Sequence, residues 1–161
     1  MKRWRDRAVY TRILVPLDGS EVAEKALAHA VQMADIFDAE PMLLRAVYLT
    51  DIPSLELGEA RSVLVKESET YLRDVAGTLR TQGRRVRTSV HWSQAAEAIL
   101  DYAIAQEVSV VVMATRGHRA PESWPIGSIA GKVLRSMQVP VLLICPSAVS
   151  DKSGGTRQSV T

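Results

Sequence analysis

The chain has 161 residues, of which 47% are hydrophobic and 24% charged, a composition typical of one soluble domain with a sizeable core. Twenty basic and 18 acidic side chains leave a net charge of +2, so no whole-chain attraction to nucleic acid or membrane is expected. The single cysteine, Cys145, excludes an intramolecular disulfide framework. Because no signal peptide and no apolar run of membrane-spanning length is visible, the sequence predicts a cytoplasmic protein.

The two ends differ in composition from the middle of the chain. Residues 1–9 alternate basic and aromatic side chains and predict a flexible extension. Residues 148–161 are small and polar without periodicity and predict a disordered tail. One domain is therefore expected over residues 10–147.

In the first half of that domain, short apolar runs alternate with longer amphipathic stretches. Residues 12–18 predict a buried strand, after which Ser20 can cap a helix by accepting a backbone N–H bond. Residues 41–49 predict a second strand. A long helix is expected over residues 58–82, and Gly83 is expected to end it because glycine tolerates left-handed backbone.

The second half repeats this alternation. Its three strands differ in their residue patterns. In the first, polar and apolar residues alternate, as at a sheet edge. The second is an unbroken β-branched run, as in a central parallel strand, and the last is apolar on both faces. The predicted elements are a strand at residues 86–92, a helix at 95–106, a strand at 108–113, a loop at 114–126, a helix at 128–138 and a strand at 139–145.

This order of elements predicts an α/β fold of three layers, a doubly wound parallel sheet of five strands with helices on both faces. In such sheets ligands bind beyond the carboxyl ends of the strands, where the winding direction reverses. The residues that follow the predicted strands are therefore the candidates for a site: residues 18–20, 47–48, 92–93 and the loop after residue 113.

The loop at residues 114–126 contains the strongest candidate for an anion site. Gly117 and Gly127 have no Cβ, so their backbone N–H groups can approach a phosphate closely. Gly127 and Ser128 stand where a helix is predicted to begin, and a helix N-terminus favours anions. An ordinary strand-to-helix loop with Ser128 as cap explains these residues equally well. Three further side chains of the loop can screen phosphate charge: Arg116, His118 and Arg119.

At these residues the chain resembles the universal stress protein family, over residues 12–146. The family's nucleotide signature is a Gly, two residues, a Gly, nine residues, then Gly and Ser or Thr, and this chain has Ala114, Gly117 and Gly127-Ser128 at those spacings. Four other segments are also similar to the family: ILVPLDGS at residues 13–20, AAEAILDYA at 95–103, VVVMATRG at 110–117 and VPVLLI at 139–144.

The resemblance implies an adenine nucleotide alpha hydrolase-like fold with strand order 3-2-1-4-5. It also implies a homodimer formed through residues 139–144, an unidentified protein partner and a regulatory role in the stress response. The ligand implied is ATP or AMP, with or without Mg²⁺. Asp18 would contact the ribose or adenine end, and Val47 would offer backbone groups to the adenine. Gly117, Gly127 and Ser128 would hold the phosphates, and we call the loop at residues 114–126 that leads to Gly127 the glycine loop. The implied ligand-binding set is Pro16, Leu17, Asp18, Ser20, Ala46, Val47, Met113, Ala114, Arg116, Gly117, His118, Arg119, Gly127, Ser128 and Ile129.

The chain departs from the family pattern in the glycine loop. Ala114 replaces the first glycine. This matters if that position needs positive φ or bare backbone against the ligand, and it does not matter if the position needs only a small residue at ordinary strand dihedrals. Pro121 and Pro125 stiffen the loop, and Trp124 either closes over a ligand or covers the core. These departures keep open the alternative of a nucleotide-free dimeric interaction module. A slow ATPase with His118 as base is a separate alternative.

Other chemistries find less support in the sequence. The three histidines share no metal-binding spacing, and Cys145 in an apolar strand is expected to be an inert core thiol. The sequence has neither a Walker motif nor a GxSxG elbow, and Asp18 has no acidic neighbour of the kind that a phosphoacceptor site needs. The basic run at residues 84–87 is expected to be a solvated turn that enters an edge strand. No catalytic residue is predicted.

Overall fold

A computed structural model describes residues 9–49, 54–116 and 126–145. The predicted extension, except for its last residue, and the whole predicted tail lie outside these residues. The order of helices and strands is the predicted one. The elements are β1 (Arg12–Pro16), α1 (Glu21–Phe37), β2 (Glu40–Val47), α2 (Ser54–Thr81), β3 (Arg87–Trp92), α3 (Ala95–Ala105), β4 (Val110–Ala114), α4 (Ser128–Ser136) and β5 (Val141–Ile144).

The five strands form one parallel sheet in the order β3-β2-β1-β4-β5, which confirms the predicted topology. Strand β1 is central and pairs Leu14 with Met42 of β2 and with Val111 of β4. All five residues of β4 are buried, as the unbroken apolar run predicted. The exposed edges of the sheet are β3 and β5.

Two apolar clusters lie on opposite faces of the sheet. One joins α1 and α2 to alternate strand residues such as Val15, Leu43 and Val112. The other joins α3 and α4 to the intervening residues, such as Leu14 and Met42. The structure therefore has the three predicted layers, because a parallel strand that is buried on both faces needs helices on both sides.

The first helix begins at the predicted cap. The Ser20 Oγ accepts a hydrogen bond from the backbone N–H of Ala23 at 3.2 Å, and Ser20 has the extended backbone of an N-cap residue. We expect Ser20→Ala to lower the free energy of unfolding by about 1 kcal/mol, because an N–H at the helix start loses its acceptor. Denaturant unfolding measures this change.

The matched control for that substitution is Ser62→Ala. The Ser62 hydroxyl donates to the Gly58 carbonyl inside α2, so its removal takes no acceptor from a helix terminus. We expect it to change the free energy of unfolding by less than about 0.5 kcal/mol. Equal effects of the two substitutions would show that the Ser20 cap does not stabilise α1.

The basic run at residues 84–87 follows the end of α2, which Gly83 terminates with a φ of +82°, as predicted. The guanidinium of Arg84 donates to both carboxylate oxygens of Asp35, at 2.9 and 2.8 Å, and this hydrogen bonding lowers the pKa of Asp35. Arg87 forms an ion pair with Glu40 at 2.8 Å. The run is thus a turn that enters the edge strand β3, as expected, and acidic side chains engage two of its arginines.

The environment of Cys145 was predicted wrongly. An inert core thiol was expected, but β5 ends at Ile144 and Cys145 is exposed. The prediction failed because β5 is a short edge strand, and the chain leaves the sheet one residue earlier than the apolar run suggests. Within the described residues, no helix has the length and apolar character needed to cross a membrane.

Candidate functional site

The winding direction of the sheet reverses between β1 and β4. Helix α1 leaves β1 toward one face of the sheet, and α4 leaves β4 toward the other. Because β1 and β4 are parallel neighbours whose chains depart to opposite faces, a crevice for ligands is expected at their carboxyl ends. The candidate site predicted from the sequence lies at this crevice.

The glycine loop begins and ends at one point of the crevice. Thr115, the residue after β4, is buried and donates its N–H to the Ile144 carbonyl at 2.9 Å. The Thr115 carbonyl in turn accepts the N–H of Gly127 at 2.7 Å. This bond places the start of α4 directly at the carboxyl end of β4, although Gly127 follows Thr115 by twelve residues in the sequence.

The start of α4 presents backbone donors without a capping side chain. Gly127 is the N-cap and has an extended backbone, with φ −70° and ψ 164°. The first intrahelical bond runs from the Gly131 N–H to the Gly127 carbonyl at 2.9 Å. The N–H groups of the three preceding residues, 128–130, therefore have no acceptor in the helix ladder and can face an anion. Ser128 is the first helical residue, so the alternative that made Ser128 the cap is wrong.

Asp18 is held at the turn between β1 and α1. Its Oδ1 accepts hydrogen bonds from the Ser20 N–H at 3.0 Å and from the Ser20 hydroxyl at 2.5 Å. Ser20 in turn accepts the N–H of Ala23. This chain of bonds fixes an exposed carboxylate at the carboxyl end of the central strand, where it can accept hydrogen bonds from ligand hydroxyl groups.

Ala46 and Val47 end the neighbouring strand β2, and both are half-buried. The Val47 carbonyl already accepts the Ser93 N–H at 3.1 Å, which continues the pairing of β2 with β3. A carbonyl oxygen has two lone pairs, so one acceptor position of Val47 remains for a ligand.

Ala114 does not strain the site. In the part of the chain that the structure describes, the non-glycine residues with positive φ are Asp38 and Glu107, so Ala114 has the ordinary dihedrals of β4. Its methyl group is buried, with 8% of the residue exposed. The position accepts a small residue in strand conformation, and its backbone does not require glycine.

The remaining members of the predicted set are divided between the strand ends and the loop. Leu17 and Met113 are buried beside the crevice, Pro16 and Arg116 are half-buried, and Ile129 is 42% exposed on the first turn of α4. Three predicted members fall outside the described residues: Gly117, His118 and Arg119.

Sequence reasoning overlooked two residues at this edge of the sheet. Thr115 carries the carbonyl that receives Gly127, and its position directly after a buried strand was the available signal. Arg45 interrupts the apolar run of β2, and its guanidinium lies beside the turn that holds Asp18. A charge within a buried run was the signal that could have identified Arg45. In the described ranges, no group of three His, Cys, Asp or Glu residues is arranged to hold a metal ion.

A model of the universal stress protein family matches residues 9–144 of the chain. The chain belongs to the universal stress protein family. Its relatives include universal stress protein MJ0531 of Methanocaldococcus jannaschii, which is 30% identical over 143 residues, covering 84% of this chain and 82% of the relative.

Solved structures of similar proteins share the fold. Protein MJ0577 of Methanocaldococcus jannaschii superimposes with a TM-score of 0.79 at 26% identity, over 86% of this chain and 98% of that one. Two more distant universal stress proteins hold adenine nucleotides. One is in complex with cAMP, at 19% identity, TM-score 0.64 and 86% and 98% coverage. The other, from Arabidopsis thaliana, has AMP bound, at 11% identity, TM-score 0.63 and 86% and 93% coverage. At these identities the likeness shows the fold alone.

Proposed function

We propose that this universal stress protein is a cytoplasmic regulator that binds ATP or AMP, with or without Mg²⁺, in the crevice between β1 and β4. The observation that carries the proposal is the 2.7 Å bond between the Gly127 N–H and the Thr115 carbonyl. It holds a helix N-terminus without a capping side chain at the switch point of a parallel sheet, where such folds bind nucleotides.

Each part of a nucleotide has a partner in this arrangement. The phosphates lie against the N–H groups at the start of α4, where the helix dipole favours negative charge. The ribose hydroxyls donate to Asp18, and the adenine lies against the end of β2 at Ala46 and Val47. Two universal stress proteins of the same fold hold adenine nucleotides, which supports an adenine nucleotide as the class of ligand.

Thermal unfolding of the full chain with and without ATP tests the proposal. A ligand that binds only the folded state at a hundredfold excess over its Kd adds about 2.7 kcal/mol to the free energy of unfolding. For a chain of this size, we expect Tm to rise by about 5–10 °C. An unchanged Tm at millimolar ATP and magnesium would contradict the proposal.

Regulation then follows from binding rather than from turnover. Nucleotide contacts would favour one conformation of the glycine loop, and a partner protein would recognise that conformation. The competing slow-ATPase hypothesis needs a base that positions water, and His118 is its candidate. Hydrolysis that disappears in His118→Ala while ATP affinity is retained would favour the ATPase.

We also propose that two copies pair through β5. This strand is an edge of the sheet, and Pro140 before it has no N–H for a further ladder bond. Leu142 in this strand is 40% exposed. An apolar exposed edge strand favours pairing with another copy.

Replacing Leu142 tests this dimer. We expect sedimentation velocity to show a dimer for the wild type and a shift to monomer for Leu142→Lys, because a charge at the apolar edge opposes strand pairing. The control is Val63→Lys at a position of α2 that is 51% exposed, and it should leave the dimer intact. A wild type that sediments as a monomer would rule out the β5 dimer.

A further inference from the structure

The guanidinium of Arg45 lies behind the turn that carries Asp18. Arg45 is near the carboxyl end of β2, on the same side of the strand as Leu43, and therefore faces α1 and α2. Gly19, at the centre of the turn, has a φ of +86°. A Cβ built on Gly19 would be only 3.1 Å from Nη1 of Arg45, so the guanidinium occupies the space beside Gly19 that a side chain would need.

Tyr71 packs against this guanidinium, and Glu24 in turn holds Tyr71. The Tyr71 ring of α2 lies under the guanidinium, with 4.8 Å between the ring centroid and Cζ, a distance that gives cation–π attraction. The Tyr71 hydroxyl donates to Oε1 of Glu24 at 2.9 Å, which ties α2 to the first turns of α1. We call Arg45, Tyr71 and Glu24 the brace. The brace links β2, α2 and α1 next to the turn at Gly19.

Charges on Glu24, Arg45 and Asp18 all influence the pKa of Tyr71. Burial and then the Glu24 carboxylate raise the pKa of Tyr71, so the hydroxyl stays protonated and remains a donor across the physiological range. The Arg45 guanidinium opposes this rise, and the Asp18 carboxylate adds to it. Both charges are therefore close enough to act on the same phenol.

We propose that Arg45 is a positioning residue for the nucleotide site: held over the Tyr71 ring, which Glu24 fixes, it supports the Gly19 turn and thereby orients the Asp18 carboxylate toward the ribose. This inference rests on the proposed function. The Asp18 carboxylate is bonded to Ser20, and the guanidinium lies beside Gly19, the residue between them. Without Arg45 the turn loses the guanidinium beside Gly19, and the Asp18 carboxylate samples more orientations.

A double-mutant cycle distinguishes action through Asp18 from an independent effect. The variants are Arg45→Met, Asp18→Asn and the double variant, each assayed for ATP affinity by calorimetry in the full chain. We expect each single change to raise the Kd about tenfold, the scale of one hydrogen bond to a charged group. The double variant should bind within about twofold of Asp18→Asn, because Arg45 acts only through that carboxylate.

Two results of this cycle would overturn the inference. Losses that simply add, to about a hundredfold in the double variant, would mean that Arg45 and Asp18 act independently. A Kd unchanged by Arg45→Met would remove Arg45 from the site altogether. The conservative Arg45→Lys keeps the charge over Tyr71 and should retain affinity to within about threefold. Thermal unfolding without ligand shows whether each variant is folded.

Hydrogen exchange in the ligand-free protein is a second test of the role of Arg45, and it does not depend on nucleotide binding. The Ser20 and Ala23 amides donate to Asp18 and Ser20, so their exchange rates report the order of the turn. We expect Arg45→Met to speed both by at least about threefold. Arg73→Met, at an exposed position of the helix that carries Tyr71, should leave them unchanged.

The affinity and hydrogen-exchange experiments distinguish a failure of the proposed function from a failure of the proposed role of Arg45. If the wild type fails to bind ATP, the proposed function is wrong, while faster exchange in Arg45→Met still supports a brace that holds the turn. If ATP binds but neither exchange nor affinity responds to Arg45→Met, the proposed function stands and the role of Arg45 is overturned.

Discussion

Gly127→Asp should bind ATP at least about a hundredfold more weakly than Gly127→Asn. Both side chains have the same shape, and both are favoured at an N-cap, so the two variants share any steric cost and any gain in capping. They differ by one negative charge at the start of α4, where the proposal places the phosphates. Like charges held together at a binding interface cost several kcal/mol.

The dependence on ligand charge makes this comparison decisive. The ratio of the two Kd values, measured by calorimetry, should be largest for ATP, smaller for AMP and close to one for adenosine. The extended backbone of Gly127 is accessible to any residue, so both variants should fold. An equal loss for adenosine and ATP would show that the phosphates do not lie at the start of α4.

Leu43→Ala should lower the free energy of unfolding by about 3 kcal/mol. Leu43 lies in β2 with no exposed surface and belongs to the cluster between the sheet and helices α1 and α2. Removing three carbons leaves a cavity that the neighbouring strands cannot close, because both flanking strands are fixed by their ladders. We expect Tm to fall by about 6–12 °C for a chain of this size.

The matched control is Val63→Ala in α2, where the valine is 51% exposed. This substitution should change the free energy of unfolding by less than about 0.5 kcal/mol in denaturant titrations. A similar loss in both variants would mean that burial in the cluster around Leu43 does not determine stability.

The alternation of strands and helices could be predicted from the sequence because hydrophobic periodicity is a local signal. The β-branched run at residues 108–113 predicted a buried strand, which the structure places at Val110–Ala114. Ser20 predicted the start of one helix through its side chain, and Gly83 predicted the end of another through its backbone. The family resemblance implied the strand order, which local patterns alone do not determine.

The site could be predicted as a set of residues, but its geometry could not. The bond between Gly127 and Thr115 joins residues twelve apart, and no local pattern indicates that the loop closes on itself. The brace formed by Arg45, Tyr71 and Glu24 joins a strand and two helices, so it arises only once the layers pack. The exposure of Cys145 was missed for a related reason, since an apolar run does not show where an edge strand leaves the sheet.

A crystal structure of the full chain grown with saturating ATP and Mg²⁺ tests the central claim most directly. We predict phosphate oxygens within hydrogen-bonding distance of the N–H groups at the start of α4, and ribose hydroxyls at the Asp18 carboxylate. Crystals that hold no nucleotide in the crevice between β1 and β4, or that hold it elsewhere on the chain, would contradict the account.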